Sequence, residues 1–187
     1  MRRFSAVLVL LFLAGCTKTG APQPVPPNQD RFGAPEVGTP RAIESFASNP
    51  CAALTREVWV QLGFAPEGRV ESLSTGERSC VHEGVNRERY ISMVVATTND
   101  PLVGAYRARQ FPIFRPVTVG GLPGVQEQSS ASDLSCTLTV GTADDQGLLF
   151  NSSEYQSGSS GDRRDPCELG QRVAERIVAA LPPLPGK

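Results

Sequence analysis

Histidine and tryptophan each occur once in this chain of 187 residues, and cysteine occurs only five times. A single histidine, His82, cannot supply the two or three imidazoles that zinc enzymes commonly use. The cysteines form no C-x-x-C pair, so the spacing typical of structural zinc sites is also lacking. We therefore predict no metal site and no cofactor.

An excess of charge of either sign is also lacking. The 18 basic side chains nearly balance the 19 acidic ones. Nucleic-acid binding depends on a clustered basic surface that neutralises phosphates. The composition therefore gives no reason to expect a DNA or RNA partner.

Long apolar runs are absent except at the N-terminus, where residues 6–14 are mostly apolar. This run is shorter than the roughly 20 residues that cross a bilayer. It follows Arg2 and Arg3, and it ends in Leu13-Ala14-Gly15-Cys16, which is typical of a lipoprotein signal. We predict that residues 1–15 are a signal peptide and that Cys16 becomes the lipidated N-terminus. A secretory signal that happens to contain a cysteine is the alternative.

The lipid on Cys16 predicts the location of the protein. A diacylglyceryl group, with palmitate-type acyl chains, supplies the two chains that stable anchoring needs. The mature protein would be attached to the cell membrane on its extracytoplasmic face. Without Arg2 and Arg3 it has 16 basic and 19 acidic side chains.

Four cysteines remain for the folded part, and an even number in an oxidising compartment predicts two disulfides. Three pairings are possible. Cys51 and Cys80 are 29 residues apart, and Cys136 and Cys167 are 31 apart. These similar spans favour two local bridges, each joining the start of a helix to a strand.

Residues 16–48 differ in composition from the rest of the chain, because prolines and polar residues dominate and apolar residues are sparse. Such a segment buries too little apolar surface to order itself. We predict a disordered tether that holds the folded part away from the membrane. One domain over residues 49–183 and a short tail, 184–187, would complete the chain.

Three Asx-Pro pairs mark helix starts, because Asn or Asp caps a helix and proline suits its first position. They predict helices over residues 50–62, 101–110 and 166–181. Trp59, on the first helix, is expected to be a packed core residue. Asp165 and Glu168 form a capping-box pair at the start of the third.

Strand-like runs lie between these helices, at residues 78–83, 89–97, 114–119, 124–129, 135–140 and 148–154. They are rich in β-branched or alternating apolar residues and are separated by turns such as Gly120-Gly121. The pattern predicts an α+β fold: an antiparallel sheet with the N- and C-terminal helices packed on one face and two disulfides.

The run Asn49-Pro50-Cys51, followed by Cys80, Cys136 and Asp165-Pro166-Cys167, resembles a family of actinobacterial secreted lipoproteins that carry a domain of unknown function. The resemblance covers residues 49–183. This sequence departs from the family's pattern at Asn49, where aspartate is commoner, and at Val81-His82, where an aromatic residue is frequent. It implies an envelope lipoprotein and brings no catalytic residues.

Nucleophilic catalysis needs an activated group and a base within hydrogen-bond reach. His82 is the one available imidazole, and no Gly-x-Ser-x-Gly sequence is present. We therefore predict no catalytic residues and a non-enzymatic binding or interaction module of the cell envelope. Its partner would be a small molecule, a lipid, a cell-wall component or a protein, with ligand-binding residues unknown. A hydrolase that uses His82 and a purely structural lipoprotein are the alternatives.

Overall fold

The computed structural model describes residues 30–155 and 165–185. Seven antiparallel strands form one sheet in the order β1-β2-β3-β7-β6-β5-β4. The strands are β1 Arg69–Ser72, β2 Arg78–Glu83, β3 Arg89–Ala96, β4 Ile113–Val119, β5 Leu122–Gln128, β6 Ser135–Ala143 and β7 Gln146–Glu154. The helices are α1 Glu44–Ala47, a 3₁₀ helix Pro50–Ala53, α2 Arg56–Gln61, α3 Pro101–Ala108 and α4 Pro166–Ala180.

The predicted α+β fold with its antiparallel sheet is confirmed. Alternation along β6 explains why these residues form a strand with a buried face, since Cys136, Leu138 and Val140 all point into one core. Gly120 and Gly121 form the β4–β5 turn with φ of 56° and 86°, which glycine adopts without strain.

Helix α4 covers the centre of the sheet, on β6 and β7. The Asp165 carboxylate caps it by accepting a hydrogen bond from Cys167 N at 2.8 Å. Residues at helical spacing along one side, Leu169, Val173 and Ile177, are buried in the main core. The sequence therefore specified this helix from cap to apolar stripe.

Both predicted disulfides are present, as Cys51–Cys80 and Cys136–Cys167. The first joins the 3₁₀ helix to β2, and the second joins the first turn of α4 to β6. In the chain-entropy account, closing loops of this length stabilises a fold by roughly 3–4 kcal/mol each. The bridges hold the N- and C-terminal helices on the same face of the sheet.

Helix α3 packs on the opposite face, so helices cover both faces of the sheet. Its Leu102 lies against Gly141 of β6, and its Pro101 lies against Gly147 of β7. These glycines are five residues from Cys136 and Ser152, and an odd separation along a strand reverses the face. Leu102, Tyr106, Val125 and Ala34 form a second, smaller core there.

The folded part begins before Asn49, which corrects the predicted tether over residues 30–48. Ile43 is fully buried in the main core, and Ala34 is fully buried in the second. The Arg31 guanidinium pairs with the Asp100 carboxylate at 3.1 Å. A few apolar side chains at the right positions are enough to dock a proline-rich segment. The predicted signal peptide, Cys16 and residues 17–29 lie outside the described residues.

The predicted first helix is interrupted. Leu54 and Thr55 adopt extended backbone conformations between the 3₁₀ helix and α2. The Cys51–Cys80 bridge fixes the first piece on β2, and Thr55 has the side chain and the extended backbone of an N-cap residue for the second. Asn49 makes no side-chain capping bond, unlike Asp100, which accepts one from Val103 N at 3.0 Å.

Strand β1 was not predicted. All four of its residues are exposed, so it lacks the apolar alternation by which strands are recognised. It pairs with β2 at the edge of the sheet. Within residues 30–155 and 165–185, none of the helices has the length and apolarity that a membrane crossing requires.

Candidate functional site

The C-terminal end of α2 positions the single tryptophan. Gly63 takes a left-handed conformation with φ of 84°, and Phe64 N donates to Trp59 O at 3.0 Å. Together with the bond from Gly63 N to Val60 O, this is the Schellman arrangement that ends many helices. It brings the Trp59 and Phe64 rings edge to face, with centroids 5.7 Å apart. The indole is thereby held over β2.

His82 lies on β2 beneath that indole. The two rings are stacked with centroids 3.8 Å apart and planes inclined by 19°. On its other side the imidazole faces Gly68. A Cβ at residue 68 would lie 2.3 Å from Nε2, 2.7 Å from Cδ2 and 2.8 Å from Cε1, which places it above the ring plane. His82 is therefore clamped between an indole and a position that tolerates no side chain.

The hydrogen bonding of His82 assigns its tautomer. Nδ1 lies 3.1 Å from the Ala65 carbonyl oxygen, which can only accept, so Nδ1 carries the proton and donates. Nε2 is then a bare acceptor. It is buried and has no hydrogen-bond partner among residues 30–155 and 165–185, and the same holds for Nε1 of Trp59. Two unpartnered ring nitrogens, one acceptor and one donor, belong to two stacked side chains.

A cavity of about 270 Å³ lies beside these rings. One wall comes from the 3₁₀ helix and α2, and the other from the loop before β1, β1 itself and β2. The Arg56 guanidinium and the Glu67 carboxylate join the two walls through an ion pair of 2.6 Å, and both side chains are largely exposed. The lining residues are Asn49, Cys51, Ala52, Leu54, Arg56, Trp59, Pro66, Glu67, Gly68, Val70 and His82.

Burial lowers the pKa of His82 below its ordinary value, because the charged imidazolium would lose its hydration. The hydrogen bond to Ala65 O and the negative charge of Glu67 oppose this effect and raise the pKa. Desolvation is the largest influence, so the ring is neutral at physiological pH. A neutral imidazole can accept a hydrogen bond or ligate a metal ion.

The Cys51–Cys80 disulfide lies next to this imidazole. Both Sγ atoms and one ring nitrogen of His82 are all within 4.8 Å of one another. Cys80 is buried, whereas Cys51 is partly exposed and lines the cavity. The sequence places His82 two residues from Cys80, and the fold adds Cys51 and Trp59 to the same place.

The hydrolase alternative needs His82 to be buried in a cleft near a serine or carboxylate, and Glu67 lines the same cavity. Within the described residues, the sole hydrogen-bond partner of His82 is the backbone oxygen of Ala65. The nearby carboxylate, Glu67, acts on the imidazole through its charge and pairs with Arg56.

Glu127, on β5, is a buried acid that the sequence did not single out. Its Oε1 has no hydrogen-bond partner in the part of the chain that the structure describes, and burial raises the pKa of its carboxyl. It points to the same face as Val125, away from α4 and from the cavity. Its sequence neighbours, Gln126 and Gln128, are polar as well, so no alternation of apolar and polar residues indicated that this acid is buried.

The comparison with known families covers most of the chain, and the family of proteins of unknown function DUF3558 matches residues 11–180. The chain belongs to the DUF3558 family. No curated protein and no solved structure matches it. The matched range includes every residue that lines the cavity, all four disulfide cysteines and Cys16. The predicted domain of unknown function is therefore confirmed, and DUF3558 membership assigns no activity to the cavity.

Proposed function

We propose that this DUF3558 member is a non-enzymatic binding module of the cell envelope that holds a compact polar ligand in the cavity beside Trp59 and His82. One observation carries the proposal: two buried, unpartnered ring nitrogens belong to stacked side chains that both line the cavity. Buried polar groups are nearly always hydrogen-bonded, and leaving one unpaired costs about 1–3 kcal/mol. Both nitrogens are covered by the protein, so a ligand reaches them by shifting the cavity wall, and bonding to them recovers this energy.

The chemistry of the two nitrogens defines the ligand. Trp59 Nε1 donates, and His82 Nε2 accepts because its tautomer is set by Ala65 O. A hydroxyl or an amide offers both an acceptor and a donor, which is the complement of this pair. The cavity volume lies just below the roughly 300–1,000 Å³ of drug-sized sites. A compact molecule with hydroxyl or amide groups fits this volume better than the two chains of a lipid.

The N-terminal sequence supports a location for this activity. Leu13-Ala14-Gly15 before Cys16 favours lipidation of the thiol, and the matched family range extends through these residues. We infer that the protein is anchored by this lipid on the extracytoplasmic face of the cell membrane. The full chain and a Cys16→Ser variant, expressed in an actinobacterial host, test this by fractionation and intact mass. The wild type should carry the diacylglyceryl mass and sediment with membranes, and equal behaviour of both chains would contradict the anchor.

The binding proposal is tested on the full oxidised chain. Native mass spectrometry after mild purification detects a retained molecule, and ligand-observed NMR screens compact sugars, polyols and amides. Trp59 is the single tryptophan, so its fluorescence reports on the cavity wall alone. We expect a reproducible bound mass and a fluorescence change for the same compound.

Two variants make this test specific. Trp59→Phe keeps an aromatic ring and removes the donor, and we expect affinity measured by NMR to fall about tenfold or more, as for a lost hydrogen bond in a buried site. Tyr106→Phe is the matched control, because it removes a hydroxyl on the opposite face of the sheet. Equal affinity of the two variants, or no bound compound at all, would reject the cavity as the ligand site and favour a protein partner.

A further inference from the structure

We propose that reduction of the Cys51–Cys80 disulfide converts the cavity wall into a site for a thiophilic cation, Zn²⁺ or Cu⁺, with Cys51, Cys80 and His82 as ligands. Both sulfurs and a ring nitrogen of His82 already lie within 4.8 Å of one another. Two thiolates and one imidazole are a ligand set that both cations accept. The site adjoins the cavity, which leaves room for a fourth ligand from solvent.

The reductive step needs an electron donor, and a dithiol supplies it. The dithiol gives two electrons and two protons to the bridge, the Sγ–Sγ bond breaks, two thiols form, and the donor becomes a disulfide. Binding of the cation then releases the two thiol protons, because the ligands are thiolates. After the cation leaves and the two thiolates take up two protons, exchange with the disulfide form of the donor returns two electrons and two protons to the donor and restores the bridge.

Access distinguishes this bridge from the other one. Cys51 is partly exposed at the cavity, so a dithiol can approach its sulfur. Cys136 and Cys167 are only 2% and 3% exposed, which keeps a reductant from their sulfurs. Exposed disulfides are the labile ones in general. The second bridge also lacks an imidazole, since His82 is the single histidine in the chain.

His82 is prepared to act as a ligand. The bond from Nδ1 to Ala65 O fixes the ring orientation, as the outer partner of a metal-bound histidine usually does. Nε2 is left bare and without a partner. The stacking of Trp59 on one side and Gly68 on the other prevents rotation of the ring.

The first experiment measures which bridge is reduced. The full chain with Cys16→Ser, whose remaining thiols all come from the two disulfides, is titrated with dithiothreitol and alkylated, and the labelled cysteines are mapped by mass spectrometry. We expect Cys51 and Cys80 to be labelled before Cys136 and Cys167. Simultaneous labelling of all four, or the reverse order, would overturn the proposal.

The second experiment measures metal binding by the selectively reduced chain. Co²⁺ is the spectroscopic probe, since thiolate ligation gives a charge-transfer absorption, and Zn²⁺ is then added in competition. We expect one Co²⁺ per chain, no binding by the oxidised chain, and a loss of affinity of about tenfold or more in His82→Asn. The Cys51→Ser/Cys80→Ser double variant should not bind, and Cys136→Ser/Cys167→Ser should bind like the parent chain. Binding that survives in His82→Asn at full affinity would overturn the assignment of the imidazole.

NMR of the parent chain tests whether His82 binds the cation even if a variant does not fold. The single histidine gives one set of imidazole resonances, so Zn²⁺ ligation can be observed in the parent chain without substitution. We expect these resonances to shift when Zn²⁺ is added to the reduced chain and to stay unchanged in the oxidised chain. Unshifted resonances in the reduced chain would exclude His82 as a ligand. These measurements are independent of organic ligand binding by the oxidised protein.

Discussion

The imidazole of His82 is stacked on the indole of Trp59 with centroids 3.8 Å apart. The contact joins α2 to β2 and encloses two ring nitrogens for which the described residues provide no hydrogen-bond partner. It also removes the imidazole from water, which has consequences for stability that can be measured.

Stability should depend on pH through His82. Its pKa is lowered in the folded state, so between that value and the unfolded value of about 6.5 the unfolded chain binds more protons. The free energy of unfolding is therefore fully retained above about pH 6.5 and falls as the pH drops below it. Denaturant titrations of the wild type and His82→Phe at several pH values test this. The difference between the two chains should change across this window, and a constant difference would contradict the prediction.

Gly68→Ala should destabilise the fold by about 1–3 kcal/mol, because the new methyl group overlaps the His82 ring. Thermal unfolding measures the loss, and Trp59 fluorescence should shift as the stacked imidazole moves. Gly38→Ala is the matched control, since a Cβ there meets nothing within 4 Å and its backbone is unstrained. If both substitutions have the same effect, steric contact at residue 68 is not the cause.

Ile43→Ala tests whether the segment before Asn49 is part of the folded domain. Ile43 is completely buried in the main core, so truncating its side chain should cost about 2–5 kcal/mol. Val60→Ala removes methyl groups from a side chain that is half exposed and should change stability by less than about 0.5 kcal/mol. Urea unfolding of both variants provides the comparison. A negligible effect of Ile43→Ala would favour the predicted tether instead.

Glu127→Gln should stabilise the protein at pH 7 by about 1 kcal/mol, because it removes the charge of a buried carboxylate whose Oε1 has no hydrogen-bond partner among the described residues. Burial raises the pKa of Glu127, so the folded state takes up a proton more readily than the unfolded one. The destabilisation is present above the folded pKa and disappears as the pH falls towards about 4. Glu36→Gln, at an exposed position, is the control. A gain that persists unchanged at low pH would rule out the carboxylate charge as its source.

Much of the sheet could be read from the sequence. Six of the seven strands are marked by alternation or β-branched runs, and Asp165 with its following apolar stripe marked α4. Strand β1 was missed because Arg69, Val70, Glu71 and Ser72 are all exposed, and an edge strand with no buried face has no pattern to detect. What makes it a strand is its pairing with β2, which supplies the partners for its backbone.

The sequence could not show which faces the helices cover. Helix α3 has the same type of cap and a comparable apolar side as α4, yet it packs on the opposite face. Gly141 and Gly147 decide this, because they leave the space that Leu102 and Pro101 occupy. The burial of Ala34 and Ile43 could not be predicted for a similar reason. A proline-rich composition does not show whether a complementary surface exists elsewhere in the fold.

By itself, the sequence determined the signal-like pattern around Cys16 and the α+β class, because these depend on short-range spacing and alternation. It favoured one of three disulfide pairings, and the structure decided for Cys51–Cys80 and Cys136–Cys167. The tertiary structure alone decided that Cys51, Trp59 and His82 line one cavity, with Cys80 bonded to Cys51 beside it. The helix end at Gly63 directs Trp59 towards His82. Ala65 and Gly68 hold the imidazole of His82, and they lie in a loop whose sequence has no strong preference for one backbone conformation. Such a site arises from packing between elements, and its residues carry no common spacing along the chain.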